Sequence, residues 1–300
     1  MNERRPSPRQ TQSYLRRLLT ERGLRPQKKR GQNFLVDLNL LEVLLRSAEL
    51  TPQDVVLEVG AGTGSLTARL AQQAGSVLSV EIDPAFAALA QETVGSHANV
   101  RLIQADVLRN KNELNPEVMA QLDELERRAP AGHRLKLVAN LPYAVATPVL
   151  GNLLVSNRGF ERMVMTVQWE IAERLAAQPG AKVYGALSVL VQSLATVEIV
   201  RRLPPSVFWP RPLVDSAIVL IRPDPARRQR VGDPVRFRNF LRDLYTQRRK
   251  NLRAALAGRP GGRRDKHEVD QKLQALGMAG TRRAEELTVE DHLRLCSAFG

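Results

Sequence analysis

Apolar positions along the chain fall into short β-branched runs separated by segments with helical spacing. Val55–Val59 is such a run, and it ends in a glycine cluster, Gly60-Ala61-Gly62-Thr63-Gly64. Ser65–Ala74 then places Leu66 and Leu70 four apart, which predicts a helix. Ser76–Ile82 reads as the next strand, and a helix opens at Pro84, a residue suited to a first helical turn. Val100–Gln104, Leu135–Ala139 and Met163–Gln168 predict three further strands. Leu187–Val200 holds a helix and then a strand, and Val214–Ile221 is the last apolar run. Strand–helix alternation of this kind predicts an α/β fold with a doubly wound parallel sheet. Arg109–Arg134 is polar, with helical potential around Glu117–Arg128, and reads as an insertion between strands. After Arg222 the texture changes. Pro223-Asp224-Pro225 is a breaker cluster, and Val235–Tyr245, Arg248–Leu256, Val269–Leu276 and Val289–Ala298 are helical in pattern. The expected organisation is an α/β domain over 31–222 and a small all-helical domain over 223–300, preceded by a possibly disordered arm over 1–30.

Composition adds partners to this outline. With 300 residues, 43% of them hydrophobic, the chain can bury a sizeable core. Its one cysteine, Cys296, allows no internal disulfide and points to a reducing compartment, so a cytoplasmic location is expected. No apolar run approaches a membrane span, and the N-terminus has no apolar signal core. The net charge of +14 suggests a polyanionic partner, and its placement is informative. Residues 1–30 carry a net +8, residues 31–200 a net −5, residues 201–266 a net +13 and residues 267–300 a net −2. The Arg-rich, acid-poor first 30 residues resemble a transit peptide, but the Arg-Pro-Gln-Lys-Lys-Arg stretch favours a nucleic-acid-binding arm. His97, His133, His267 and His292 are scattered without ligand spacing, so no metal site is expected.

The glycine cluster sits where a strand turns into a helix. Its G-x-G-x-G spacing is tighter than the dinucleotide fingerprint and suits a ligand lacking a pyrophosphate, such as S-adenosylmethionine. Glu81 closes the next strand, 21 positions after Gly60, where a carboxylate can accept both hydroxyls of a ribose. Asp83 is the alternative, although Asp83-Pro84 also reads as a helix cap. Asp106 follows the third strand and is placed to accept an adenine amine, or to hold a solvated turn.

Asn140-Leu141-Pro142-Tyr143 ends the fourth strand and is the most specific feature of the chain. It resembles the [N/D]-[P/L/I]-P-[Y/F/W] motif of amino-methyltransferases. The lone pair of an adenine N6 is delocalised into the ring, so this nitrogen is a poor nucleophile. The Asn140 side-chain oxygen and the Leu141 carbonyl can accept its hydrogens and favour a pyramidal geometry. Pro142 stiffens the turn, and Tyr143 offers a ring on which a flipped-out base can stack, worth about 1–3 kcal/mol.

Taken in order, these motifs resemble the KsgA-type (RsmA) ribosomal RNA adenine dimethyltransferases, from about Lys29 to Leu295. Gly31-Gln32-Asn33-Phe34-Leu35 matches the family's GQNFL, and Leu57–Thr67 its cofactor loop. Glu81-Ile82-Asp83, Ala105-Asp106-Val107 and Asn140–Tyr143 follow in sequence. Tyr184–Ser188, Phe208–Ala217, Arg248–Arg253 and Arg283–Leu287 resemble later segments of the family pattern. The resemblance implies a class I, Rossmann-like methyltransferase that dimethylates two neighbouring adenosines near the 3′ end of small-subunit ribosomal RNA within an immature subunit, acting as a monomer with S-adenosylmethionine as donor. It implies cofactor contacts from Asn33, Leu35, Gly60, Glu81, Asp106 and Asn140. It also implies a base sandwiched between Tyr143 and Phe208; a core aromatic beside Pro210 is otherwise the more common fate of such a phenylalanine, but the matching motif shifts that balance. RNA contacts are expected from Arg248, Arg249, Lys250 and Arg253. The chain departs from the pattern at Ala144-Val145-Ala146, where relatives carry more polar residues, and at Trp169, where Lys is usual. A DNA adenine or large-subunit RNA methyltransferase shares the loop and tetrapeptide, and a non-catalytic assembly factor could use the same fold. The GQNFL motif and the basic helical C-terminus favour the first reading.

Overall fold

The computed structural model describes residues 11–27, 31–259 and 265–300. Parts of the expected basic arm, residues 1–10 and 28–30, lie outside them, as do Arg263 and Arg264. In chain order the elements are α1 (Gln12–Glu21), β1 (Phe34–Leu35), α2 (Leu38–Ala48), β2 (Val55–Val59), α3 (Ser65–Gln73), β3 (Ser76–Glu81), α4 (Pro84–Val94), β4 (Val100–Gln104), β5 (Leu108–Asn110), β6 (Glu113–Leu114) and α5 (Pro116–Arg128). There follow β7 (Leu135–Asn140), α6 (Tyr143–Val155), β8 (Phe160–Gln168), α7 (Trp169–Ala176), α8 (Ala186–Leu194), β9 (Ala195–Leu203), β10 (Phe208–Trp209), β11 (Ser216–Pro223), α9 (Pro225–Val231), α10 (Pro234–Thr246), α11 (Leu252–Ala257), α12 (Lys266–Ala275) and α13 (Val289–Phe299).

Seven strands form one sheet in the order β4-β3-β2-β7-β8-β11-β9. The pairs from β4 across to β8 are parallel, and β11 runs antiparallel to β8 with Ser216 opposite Gln168. The central strands are buried along their length, as expected when helices cover both faces. This is a Rossmann-like methyltransferase sheet joined to a helical C-terminal part. The strand order reverses beside β2, so the carboxyl ends of β2, β3 and β7 open onto one crevice, the usual ligand position in such sheets.

Two compact units emerge from the packing. The first comprises residues 1–172 and 198–222, the second 173–197 and 223–300. The helical unit therefore draws on α8 as well as on the C-terminal helices, so the packing does not follow a single cut after residue 222. Its buried side chains include Phe237, Phe240 and Leu244 of α10, Leu252 and Leu256 of α11, and Leu295 and Phe299 of α13. The Pro223-Asp224-Pro225 breaker is a tight turn: Pro223 ends β11, and Asp224 caps α9 by accepting from the Ala226 and Arg227 N–H groups.

Two expectations change. The stretch 109–134, expected as a polar insertion with helical potential around Glu117–Arg128, is helical where expected and is not a peripheral addition. It supplies the short β5–β6 pair and then α5, which packs on β2 and β3 through buried Val118, Met119 and Leu122. The polar composition of α5 conceals that narrow apolar stripe. Part of the basic arm is also folded. Leu15 and Leu19 of α1 are buried, Leu19 beside Phe86 and Leu89, and Arg22 makes a bidentate pair with Glu92 at 2.6 and 2.5 Å.

Candidate functional site

The crevice holds a cleft that is open to solvent. Its walls include Asn33 and Leu35 from the β1 ribbon, Gly60 and Gly62 after β2, Glu81 at the end of β3, and Asn140 and Pro142 after β7. The glycine loop makes the cavity possible. Gly60 has φ +87° and Gly62 φ +56°, both in the left-handed region where side chains are strained. A Cβ on Gly60 would lie 3.1 Å from the Pro142 ring, and one on Gly62 would lie 2.8 Å from the Phe34 ring. The loop is thus pressed against both the tetrapeptide and the GQNFL segment.

Glu81 is held in place by backbone donors. The Gly62 N–H donates to Oε2 at 2.8 Å and the Asp83 N–H to Oε1 at 3.0 Å. Burial pushes the Glu81 carboxyl above its ordinary range, and backbone N–H donors, Asp83 and Gly62 foremost with Ile82 beside them, oppose that shift. Asp83 caps α4 through the Ala85 N–H at 3.0 Å, the second role foreseen for it. Beneath the loop Glu58 is fully buried. Thr67 Oγ1 and Ser79 Oγ donate to its Oε2, each at 2.6 Å, and burial pushes its carboxyl up to about 7.

Asn140 is fixed from two sides. Its Nδ2 donates to the Asn33 carbonyl at 2.8 Å, and its Oδ1 accepts from the Thr166 hydroxyl. Because a carbonyl can only accept, the amide nitrogen must face Asn33, which settles the side-chain orientation. Thr166 lies in mid-β8 and is fully buried. Sequence reasoning passed over it, because one threonine inside Met163–Gln168 reads as part of an apolar strand. Its only sequence signal is that a buried hydroxyl needs a partner.

Tyr143 opens α6 and is half-buried, with its hydroxyl 2.5 Å from Ser216 Oγ. Burial raises its phenol above the usual value, and the Ser216 hydrogen bond opposes the shift. Phe208 departs from its expected place. Leu35 and Phe208 pair across the β1–β10 ribbon, and the Phe208 ring is 2% exposed, packed with Leu41, Leu44 and Leu203. It is a core aromatic in this conformation, with no face free for a base. Asp106 is exposed and outside the cleft walls, and its Oδ1 accepts the Leu108 N–H at 2.9 Å, a solvated turn.

Of the four basic residues singled out in the helical unit, two are committed elsewhere. Arg253 is bound to Asp270 at 2.6–2.9 Å, and Arg248 donates to the Lys182 carbonyl at 2.6 Å. Arg249 and Lys250 are exposed in the turn before α11. Among the described residues no cluster of three or more His, Cys, Asp or Glu could hold a metal ion, and no helix is long and apolar enough to cross a membrane.

Known proteins resemble this chain in sequence and in fold. The family model for ribosomal RNA adenine dimethylase matches residues 23–299. The Ribosomal RNA small subunit methyltransferase A of Ligilactobacillus salivarius is 38% identical over 287 residues, covering 95% of this chain and 93% of that protein. Its counterpart in Moorella thermoacetica is 40% identical over 274 residues, covering 91% and 92%. Among solved structures, a dimethyladenosine transferase from Plasmodium falciparum shares the fold with a TM-score of 0.68 at 24% identity, covering 86% of this chain and 94% of that one. The 23S rRNA methyltransferase ErmE gives a TM-score of 0.60 at 25% identity, covering 89% and 99%.

Proposed function

This chain belongs to the ribosomal RNA adenine dimethylase family, and from that premise we propose how its residues divide the work. The protein is an S-adenosylmethionine-dependent methyltransferase that dimethylates adenine in ribosomal RNA. We infer that its substrate is a pair of adjacent adenosines near the 3′ end of the small-subunit RNA, in an immature subunit in the cytoplasm, and that it acts as a monomer.

The cleft fits the cofactor on its own chemistry: a left-handed glycine loop too tight for side chains, and a buried carboxylate in its wall, held by backbone donors. S-adenosylmethionine supplies a methyl group already activated as a sulfonium, so the protein's task is positioning. Gly60 lets the backbone approach the methionine portion, and Glu81 accepts the ribose hydroxyls. Asn33 and Leu35 close the wall from the β1 ribbon. Asp106 has Oδ1 engaged by its own turn, leaving Oδ2 to accept the adenine amine of the cofactor.

The observation that carries the reading is the fixed Asn140 amide. Its Oδ1 takes one hydrogen bond from Thr166 and keeps a second acceptor site. That site and the Leu141 carbonyl would receive the two hydrogens of the target N6, drawing the nitrogen out of conjugation. Its lone pair would then be free for in-line attack on the methyl group, whose bond to sulfur would break to leave a neutral thioether as the bond to nitrogen forms, and the surplus proton would leave to solvent. Tyr143 supplies the ring for the extruded base, with its hydroxyl anchored on Ser216. Phe208 supports the ribbon from the core, and would have to leave that packing to complete a sandwich.

Methyl incorporation into immature small subunits, naked large-subunit RNA and duplex DNA tests the substrate. Dimethyladenosine is expected only in the small-subunit RNA. Incorporation confined to large-subunit RNA or DNA would overturn it. Asn140→Ala is expected to reduce turnover by about 100- to 1000-fold, the scale for loss of one positioned polar group, with RNA binding retained.

A further inference from the structure

Trp169 lies immediately after β8, and the guanidinium carbon of Arg202 on β9 lies over its indole, 4.4 Å from the ring centroid. Arg202 is also held at its edge: Nε and a terminal nitrogen contact Asp215 Oδ2 at 2.8 and 2.6 Å. The Asp215 carbonyl accepts the Trp169 backbone N–H at 2.9 Å, which closes the cluster into one unit. The guanidinium is therefore held by an aromatic ring on one side and a carboxylate on another, and 58% of the Arg202 side chain remains exposed.

This cluster adjoins the chemistry. Ser216, next to Asp215, anchors the Tyr143 hydroxyl and pairs in register with Gln168, the neighbour of Trp169. The turn leading into it carries Leu213, 99% exposed, and Val214, 45% exposed, an unusual pair of bare apolar side chains beside a base-handling site. Asp215 neutralises the charge locally, so phosphate capture is a poor use of Arg202. A flat guanidinium held over an indole is instead suited to stacking a nucleobase.

We propose that the Trp169–Arg202 pair is a binding platform for an unpaired base of the RNA flanking the target adenosine. It rests on the reading of Asn140 and Tyr143 as the adenosine site, and it adds a second base-binding position on the same face. The platform orders the strand beside the flipped nucleotide, and Leu213 covers the edge of the stacked base.

The test is a two-way cycle with the full-length chain. The probe is an immature small subunit reconstituted with labelled RNA that carries the two adjacent adenosines, with abasic substitutions placed one at a time at the flanking positions. Binding is read by fluorescence anisotropy at fixed salt, and methyl transfer is read alongside. Arg202→Met keeps the aliphatic stem and removes the planar cation, while Arg202→Lys keeps the charge and removes the plane. Both variants are expected to weaken binding about ten-fold, within the range for loss of one stacked base, with S-adenosylmethionine affinity and melting temperature retained. One flanking abasic site is expected to cost the wild type the same factor and the Arg202→Met protein nothing further. Additive losses at every position, full rescue by Arg202→Lys, or wild-type affinity in Arg202→Met would each overturn the platform. If the wild type methylates the RNA while any of these holds, only the platform falls. A wild type that neither binds nor methylates it sinks the platform together with the adenosine site beneath it.

Discussion

The two compact units treat a buried ionisable group in opposite ways. Under the glycine loop of the catalytic unit, burial holds Glu58 protonated toward neutrality, with its carboxyl raised to about 7. In the helical unit, burial holds His292 neutral, with its imidazole lowered to about 4. His292 Nδ1 lies 2.8 Å from the Thr288 carbonyl and must donate, and Nε2 lies 3.2 Å from the Tyr245 hydroxyl, which donates to the Ala284 carbonyl at 3.2 Å. Each unit has placed a titratable side chain where its charged form is unwelcome. Because one group is an acid and the other a base, the two units should respond to pH with opposite sign.

That contrast gives the largest expected effect. Above pH 6.5 His292 is neutral in both folded and unfolded chains. As pH falls from 6.5 towards 4, the unfolded chain takes a proton that the folded one refuses, and the helical unit loses on the order of 3 kcal/mol. Glu58 runs the other way. Below pH 4.5 both states are protonated. As pH rises from 4.5 to about 7, the unfolded chain releases a proton that the folded one keeps, and the catalytic unit loses a similar amount. Hydrogen-exchange protection in Val55–Val59 and in Val289–Phe299, followed from pH 4 to 7, separates the two. The wild-type slope should flatten in Val289–Phe299 with His292→Gln and in Val55–Val59 with Glu58→Gln. Variants whose profiles stay parallel to the wild type in both segments would break the contrast.

Some of this was legible in the chain itself. Parallel strands buried on both faces read as continuous apolar runs, so Val55–Val59 and Leu135–Ala139 stood out, and the crevice residues Gly60, Glu81 and Asn140 could be placed at their ends. What escaped depends on contacts between distant segments. Phe208 is buried because a two-residue ribbon pairs it with Leu35, and no local pattern announces that. Thr166 matters because β8 lies beside β7, which brings its hydroxyl to Asn140. The helix α5 is legible in Glu117–Arg128 but its packing on the sheet is not, while the basicity of its segment masks α1, although Leu15 and Leu19 carry the four-residue spacing of a buried stripe.

The next effects divide chemistry from grip. Thr166→Val removes the donor that holds Asn140 Oδ1 and should lower kcat by about ten-fold, the cost of loosening one positioned group. Thr166→Ser should restore it, and RNA affinity should be unmoved by either. A Val variant with wild-type kcat, or a loss that Ser fails to recover, would remove Thr166 from the positioning of Asn140. In the helical unit, replacing Arg249 and Lys250 together with Ala should flatten the dependence of log affinity on log salt by about 1 for each residue. Cofactor affinity should stay the same. Arg253→Ala should change that slope far less, because its guanidinium is already bound to Asp270. Equal slopes for all three would place the phosphate contacts elsewhere.

The smallest expected effect tests whether phosphate binding extends to the described part of the basic N-terminal segment. Arg22 belongs to that segment by charge, but both its terminal nitrogens are engaged by Glu92. Exposed pairs of this kind add little stability, and an engaged guanidinium releases no counterion on meeting RNA. Arg22→Ala should therefore leave both the salt slope and the melting temperature at wild-type values. Leu19→Ala, which removes a side chain packed on Phe86 and Leu89, should release α1 and expose Gln12–Glu21 to proteolysis. A flattened salt slope in Arg22→Ala would show that α1 takes part in RNA binding. An unchanged slope, with α1 lost only when Leu19 is cut back, would show apolar burial as what holds this helix and would take Arg22 out of phosphate binding.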